Sequence, residues 1–215
     1  MINLKALIVL NGKIEDLNKL KRLGKESDFI LCADGGTNYC LKASLIPDMV
    51  IGDLDSIFDD TLEQIKKHNI PIKKFPAKKD KTDAELSIDY LIKKEGFKDV
   101  TLVGATGNRI DHTLANLLLL TKLNKKGINS RIVDHNNTIY IVDKELTLTK
   151  EEDTFLSIVP ITSSGIIITL RGFEYELEKV GIDLGSTFGI SNRIVGEKGY
   201  IQVHEGQCLV TVSKD

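Results

Sequence analysis

The strongest constraint on this chain is a repeated alternation in its first part. Short apolar runs alternate there with stretches of helical spacing. The runs Ala6 to Leu10, Phe29 to Ala33, Met49 to Gly52, Ile72 to Phe75 and Val100 to Val103 have the length of strands. Between them Leu17, Leu20 and Leu23, and later Ala84, Ile88, Leu91 and Ile92, recur at helical intervals. Strand and helix in alternation predict a parallel sheet covered on both faces. From about Arg131 the pattern changes. Ile139 to Val142, Phe155 to Ile161, Ile166 to Leu170, Tyr200 to His204 and Cys208 to Val212 follow one another with turn residues and no long helical stretch between them. That succession predicts a small antiparallel sandwich. The expected organisation is an α/β domain over residues 1–130 and a β-sandwich over 131–215. No Pro-, Gly- or Ser-rich linker separates the two, so close packing is expected.

Composition excludes several classes. A formal net charge of −2 marks neither a general nucleic-acid binder nor a membrane-surface protein. Cys32, Cys40 and Cys208 have no metal spacing, and their odd number argues against a disulfide framework, which fits a reducing cytoplasm. The apolar run near the N-terminus is too short for a signal peptide or a membrane span.

In an open parallel sheet, ligands bind beyond the carboxyl ends of the strands. Acids follow four of the predicted strands: Asp34-Gly35-Gly36, Asp53-Leu54-Asp55-Ser56, Lys78-Lys79-Asp80-Lys81-Thr82-Asp83, and Gly104-Ala105-Thr106-Gly107-Asn108-Arg109-Ile110-Asp111-His112. Carboxylates gathered at one sheet edge repel one another unless a cation joins them. Magnesium, which takes oxygen ligands and shares them with phosphates, suits such a set. Glycines 35, 36, 104 and 107 would allow backbone amides close to phosphates, and Lys78, Lys79, Lys81 and Arg109 would supply positive charge. Each piece alone has a plainer reading. Asp34-Gly35-Gly36 fits a turn, and Asp53 and Asp55 fit a solvated loop. Thr82 with Glu85 matches a capping box, and Asp111 fits a cap on the apolar helix that follows. Acids after four consecutive strands are not expected of independent turns. No Walker-type lysine loop is present, which excludes a P-loop ATPase.

These motifs, in this order, resemble the thiamine pyrophosphokinase family. The match includes Pro47-Asp48 ahead of Gly52-Asp53-Leu54-Asp55-Ser56 and ends with Ser191-Asn192 in the second domain. The resemblance covers nearly the whole chain. It implies pyrophosphate transfer from ATP to the hydroxyl of thiamine, with magnesium as cofactor. It implies a homodimer whose thiamine cleft joins Asp111 of one subunit to Ser191 and Asn192 of the other. It further implies catalytic roles for Asp53, Asp55, Asp80, Asp83 and Arg109. Metal contacts fall to Asp34, Asp53, Asp55 and Asp80, and nucleotide contacts to Asp34, Gly35, Gly36, Lys81, Thr82, Gly104, Thr106 and Gly107. Two departures stand out. Asn108 replaces a frequent glycine, which a left-handed turn tolerates. The chain also has no Trp, which leaves Phe188 or another apolar residue as the partner of thiamine. Two other readings remain at this point: phosphate transfer to a different alcohol on the same scaffold, and a non-catalytic nucleotide sensor.

Overall fold

The computed structural model describes residues 3–214, which form two compact units that divide after His135. The first unit is α/β. Its strands β1 (Leu4–Val9), β2 (Phe29–Ala33), β3 (Met49–Gly52), β4 (Ile72–Lys74), β5 (Phe97–Val103) and β6 (Asn129–Val133) pair in the order β4-β3-β2-β1-β5-β6. Every pairing among them is parallel. Helices α1 (Leu17–Lys25), α2 (Gly36–Lys42), α3 (Asp59–Lys67), α4 (Asp83–Lys94) and α5 (Ile110–Asn124) connect them.

The central strands are continuous apolar segments because helices cover them on both faces. β2, with the sequence FILCA, is buried at every position. Alternate residues face opposite layers. Leu7 and Val9 join Leu20 and Leu23 of α1, Cys40 of α2 and Ile65 of α3 in one core cluster. The intervening Ile8 is fully buried but lies outside that cluster, as are Ile88 and Leu91 of α4 and Leu120 and Leu123 of α5. The chain winds outward from β1 to β4, then crosses by α4 to β5 on the other side of β1. That reversal opens a crevice between the carboxyl ends of β1 and β5, where ligands of such sheets sit.

The helix ends follow local chemistry. Asp16 caps α1 by accepting from Lys19 N at 2.8 Å. Thr82 caps α4 by accepting from Glu85 N at 3.2 Å, the local role its spacing to Glu85 predicts. No helix of the described residues is long and apolar enough to cross a membrane.

The second unit is antiparallel throughout. β7 (Asn137–Val142), β13 (Cys208–Ser213) and β9 (Phe155–Pro160) pair in that order. β11 (Leu177–Ile182), β10 (Ile166–Arg171), β12 (Lys198–Glu205) and β8 (Glu145–Thr149) form a second sheet. Val142, Ile158 and Val210 from the first sheet share one core with Ile168, Leu170, Ile201 and Val203 from the second. Two sheets closed over a common apolar layer are a β-sandwich.

All three cysteines are free and buried. Burial pushes the Cys208 thiol up to about 12 and lifts Cys32 well above the usual thiol range. The folded protein is therefore expected to leave an aromatic disulfide reagent unreacted at pH 8, and denaturation should release three reactive thiols. Rapid labelling of the native protein would contradict this packing.

Candidate active site

The site is built where β2 and β3 end. Asp34 leaves β2 with φ 48°, a conformation uncommon for a residue with a side chain. Its amide donates to Ile51 O at 2.8 Å, and its carbonyl accepts from the Thr37 amide and hydroxyl at 3.0 and 2.7 Å. Those bonds hold the strained turn at the entry to α2. Gly52 ends β3 at φ 149°, and a Cβ there would lie 3.0 Å from Asp34 Cβ. Glycine is thus what lets the next loop come alongside Asp34. Leu54, at φ 73°, then turns the chain tightly between Asp53 and Asp55.

The result is a compact set of acids. Oxygens of Asp34, Asp53 and Asp55 all lie within 4.8 Å of one another. Asp34 is buried, and its Oδ1 has no hydrogen-bond partner. Burial pushes its carboxyl above the usual range, and polar contacts from Ser56 and the Gly35 amide pull it down by less. A buried carboxylate with an unpartnered oxygen, belonging to a group of three carboxylates, fits a hard divalent cation, which prefers oxygen ligands. Lys79 supplies the positive charge that the protein itself places here. Its ammonium lies 2.9 Å from Asp83 Oδ1 and 3.7 Å from Asp53 Oδ2. Burial works against that charge, but Asp83, Asp53 and Asp34 outweigh it and hold the ammonium above its ordinary value.

Beside this set lies a cleft of about 500 Å³ at the β1–β5 crevice. It is lined by Asn11, Gly12, Asp34, Thr82, Asp83 and residues 104–109, among others. Thr106 donates from its hydroxyl to Asp134 Oδ2 at 3.0 Å. Arg109 and Asp111 are exposed and pair with each other at 2.6 Å. The Arg109 hydrogen bond holds the Asp111 carboxyl down at about 2, so it remains ionised across the physiological range.

Several expected residues sit differently. Lys81 is turned to Asp89 at 2.6 Å and Glu85 at 3.5 Å, acids that also hold Lys122 of α5. It therefore pairs with acids of α4 and is absent from the cleft lining. Asp80 is exposed and stands outside the three-acid group. Asn108 does not adopt a left-handed turn; Gly104 does, at φ 66°. The glycines answer first to internal packing. A side chain at Gly35 would strike Asn11, and one at Gly36 would strike Val9 O. One at Gly104 would strike Leu10 O, whereas Gly107 has open space.

In the second unit, Ser191 is exposed at φ 61°, with its amide donating to Ser157 Oγ at 3.0 Å. Asn192 is buried and its amide is committed. Oδ1 accepts from Tyr175 N and Arg193 N, and Nδ2 donates to Tyr175 O. Phe188 and Tyr175 are each 63% exposed.

Four positions carry the site without a predicted role. Asn38 of α2 donates to Ser56 O at 2.9 Å and accepts from Phe58 N at 3.1 Å, which fixes the loop after Asp55. Asn116 of α5 is buried and donates to Ala105 O at 2.7 Å. Asn11 and Gly12 follow β1, and the rule of reading just beyond each strand would have found them had it been applied to the first strand.

Comparison with known proteins agrees with this architecture. Residues 20–132 match the family described as "Thiamin pyrophosphokinase, catalytic domain". Residues 141–208 match "Thiamin pyrophosphokinase, vitamin B1 binding domain". A thiamine pyrophosphokinase from Bacillus subtilis is 34% identical over 97% of this chain and 98% of its own length. One from Caenorhabditis elegans is 24% identical over 91% of this chain and 84% of its own. Among solved structures, the Bacillus subtilis thiamine pyrophosphokinase superposes with a TM-score of 0.87 at 31% identity, covering 98% of this chain and 99% of the other. The one from Geobacillus thermodenitrificans gives 0.83 at 27% identity, covering 98% of both chains.

The contact between the β1 and β5 loops generates a test. A methyl group on Gly12 would run into the backbone oxygens of Gly104 and Thr106. Because backbone cannot swing aside as a side chain can, Gly12→Ala should cost about 1–3 kcal/mol or more in denaturant unfolding. Wild-type stability in this variant would show that the two loops are not in contact.

Proposed function

This chain belongs to the thiamine pyrophosphokinase family, and from that premise we propose how its residues move a pyrophosphate group from ATP to the hydroxyl of thiamine. The observation that carries the reading is the convergence of Asp34, Asp53 and Asp55 beside the β1–β5 cleft, with Asp34 Oδ1 buried and unpartnered. The hydroxyl oxygen of thiamine attacks the β-phosphorus of ATP. The bond from that phosphorus to the α–β bridging oxygen breaks, AMP leaves with that oxygen, and the hydroxyl proton passes to solvent. Transfers of this kind depend on alignment and charge neutralisation more than on a strong base.

In this reading Asp34, Asp53 and Asp55 would hold Mg²⁺, and Asp80, exposed and outside that group, would not be a ligand. Bound there, the ion would neutralise phosphate oxygens as charge shifts to the leaving group. The cleft residues receive the nucleotide. Gly107, with open space around it, and the Thr82 and Thr106 segments face the phosphates, while Gly35, Gly36 and Gly104 keep the surrounding loops close-packed. Lys81 contributes indirectly, by fixing the start of α4, whose first residue Asp83 positions Lys79. Arg109 can exchange Asp111 for a phosphate oxygen, since their pair is exposed and cheap to break. Asp111, kept ionised, then faces the cationic thiazolium.

We further infer a homodimer in which Asp111 of one subunit and the Ser191 segment of the other share the thiamine site. Ser191 offers an exposed hydroxyl. The committed amide of Asn192 supports it by fixing the strained backbone and the loop that carries Tyr175.

Incubation with ATP, Mg²⁺ and thiamine should yield AMP and thiamine diphosphate. ADP with another product would favour single phosphate transfer, and no turnover would favour a sensor. Asp53→Asn or Asp55→Asn should lower kcat by at least about 100-fold, the scale of losing one electrostatic stabiliser. Both should fold normally, because repulsion among the acids is relieved. Near-normal Mg²⁺-dependent turnover in both would overturn the metal assignment.

Mixed dimers examine the shared site. Asp111→Ala and Ser191→Ala homodimers should each turn over thiamine poorly while keeping ATP binding. After subunit exchange, a mixed dimer has one site with both defects and one with neither, so activity should recover toward half of wild type. Verified exchange without recovery, or an active monomer by light scattering, would end the shared-site reading.

A further inference from the structure

The acid cluster contains a cation of its own, and its placement bears on how the site is loaded. Lys79 sits between β4 and α4, with its side chain only 14% exposed. It touches Asp83 at the start of α4 and Asp53 after β3. Asp53 is thereby claimed twice: it belongs to the three-acid group and it faces this ammonium. The neighbouring Lys81 does not share the task, since Asp89 and Glu85 hold it.

A divalent cation entering this group alone meets a fixed positive charge across a shared carboxylate. The ammonium raises the energy of the doubly charged state and draws off part of the ligand field. Nucleotide reverses the balance. A triphosphate brings several anionic oxygens, and the four-carbon lysine stem lets the ammonium turn from Asp53 to a phosphate while it stays near Asp83. Metal and lysine then have separate anionic partners and no longer compete.

We propose that Lys79 is a resident counter-ion that keeps the acid cluster a weak site for a divalent cation alone and makes it a strong one for the same cation arriving with nucleotide phosphates. The inference rests on the metal reading of Asp34, Asp53 and Asp55 and goes beyond it, because it assigns an order: metal and nucleotide load together. It also explains how the acids remain gathered before loading, since Lys79 offsets part of their repulsion.

The test measures binding and needs no turnover. Mn²⁺ is titrated calorimetrically into wild type, Lys79→Gln and Lys79→Arg. The titrations are run alone and with α,β-methylene ATP, whose carbon bridge replaces the bond that breaks. Lys79→Gln should bind Mn²⁺ alone at least about tenfold more tightly, the scale of removing one nearby like charge. With the nucleotide analogue it should bind Mn²⁺ at least about tenfold more weakly, for want of the phosphate contact. Lys79→Arg should stay near wild type for Mn²⁺ alone. Lys79→Met, which keeps the stem without the charge, gives the same two readings if the glutamine variant does not fold. The opposite signs are diagnostic, since a purely structural lysine would weaken both. Affinities that fall together, or that do not change, overturn the proposal. If wild type binds Mn²⁺ in neither condition, the metal reading fails and this inference goes with it. Wild-type binding with no response to Lys79 removes this inference alone.

Discussion

Repulsion among carboxylates sets the terms for the first unit. Three acids within 4.8 Å of one another are held together only if their surroundings are rigid enough to resist it. The rigidity comes from the backbone. Asp34 and Leu54 are fixed at positive φ, Gly52 removes the methyl group that would keep the loops apart, and Asn38 ties down the chain after Asp55. Strain of about 1–3 kcal/mol at each unusual backbone position persists only where neighbours over-determine it. Here the neighbours are the last residues of two parallel strands, β2 buried throughout and β3 buried from Val50 to Gly52, which cannot shift without opening the core. The sheet is thus the frame against which the acids are compressed.

The same frame decides what a sequence can reveal. β2 and β3 are continuous apolar runs with acids directly behind them, and both bounds and acids can be read off without a structure. β6, β8 and β11 are not so legible. They mix polar residues into the strand: β6 and β11 show neither strict alternation nor a sustained apolar run, and β8 alternates but is five residues long with no fully buried position. α2 is a seven-residue helix with no amphipathic period to detect. α3 has only Thr61 and Ile65 buried. The acids were visible because position after a strand is a local property. Asn38 and Asn116 were not, because what they hold lies 18 and 11 residues away, and nothing in their immediate sequence specifies that partner.

Residue type misleads most where one chemistry serves two purposes. A lysine near a suspected phosphate site suggests phosphate binding, yet Lys81 stands among acids of α4 that also hold Lys122. Glycines beside a nucleotide cleft suggest close approach to phosphate, yet Gly35, Gly36 and Gly104 are small because Asn11, Val9 and Leu10 leave no room. An asparagine next to an exposed serine suggests a substrate contact, yet Asn192 spends its amide on Tyr175 and Arg193. In each case the residue type has a sound chemical reading, and the partner that folding supplies adds a second one.

Charge accounting links these observations to catalysis. The acids of the cluster outnumber the one half-buried ammonium beside them, so the group carries a surplus of negative charge. A triphosphate arriving with a divalent cation adds negative charge of its own, and Lys81 and Lys122 are already bound to acids. Arg109 and Lys79 are placed to respond, and they differ physically. The Arg109 pair is solvent-exposed, where an ion pair is worth about 0–1 kcal/mol and exchange is nearly free. Lys79 is largely buried, so moving it requires a replacement anion of comparable strength. Under the proposed loading, the exposed arginine would meet the nucleotide early, whereas the half-buried lysine would respond only with a phosphate in place. Two cations of equal charge would then act at different stages, and the difference would come from how much water each retains.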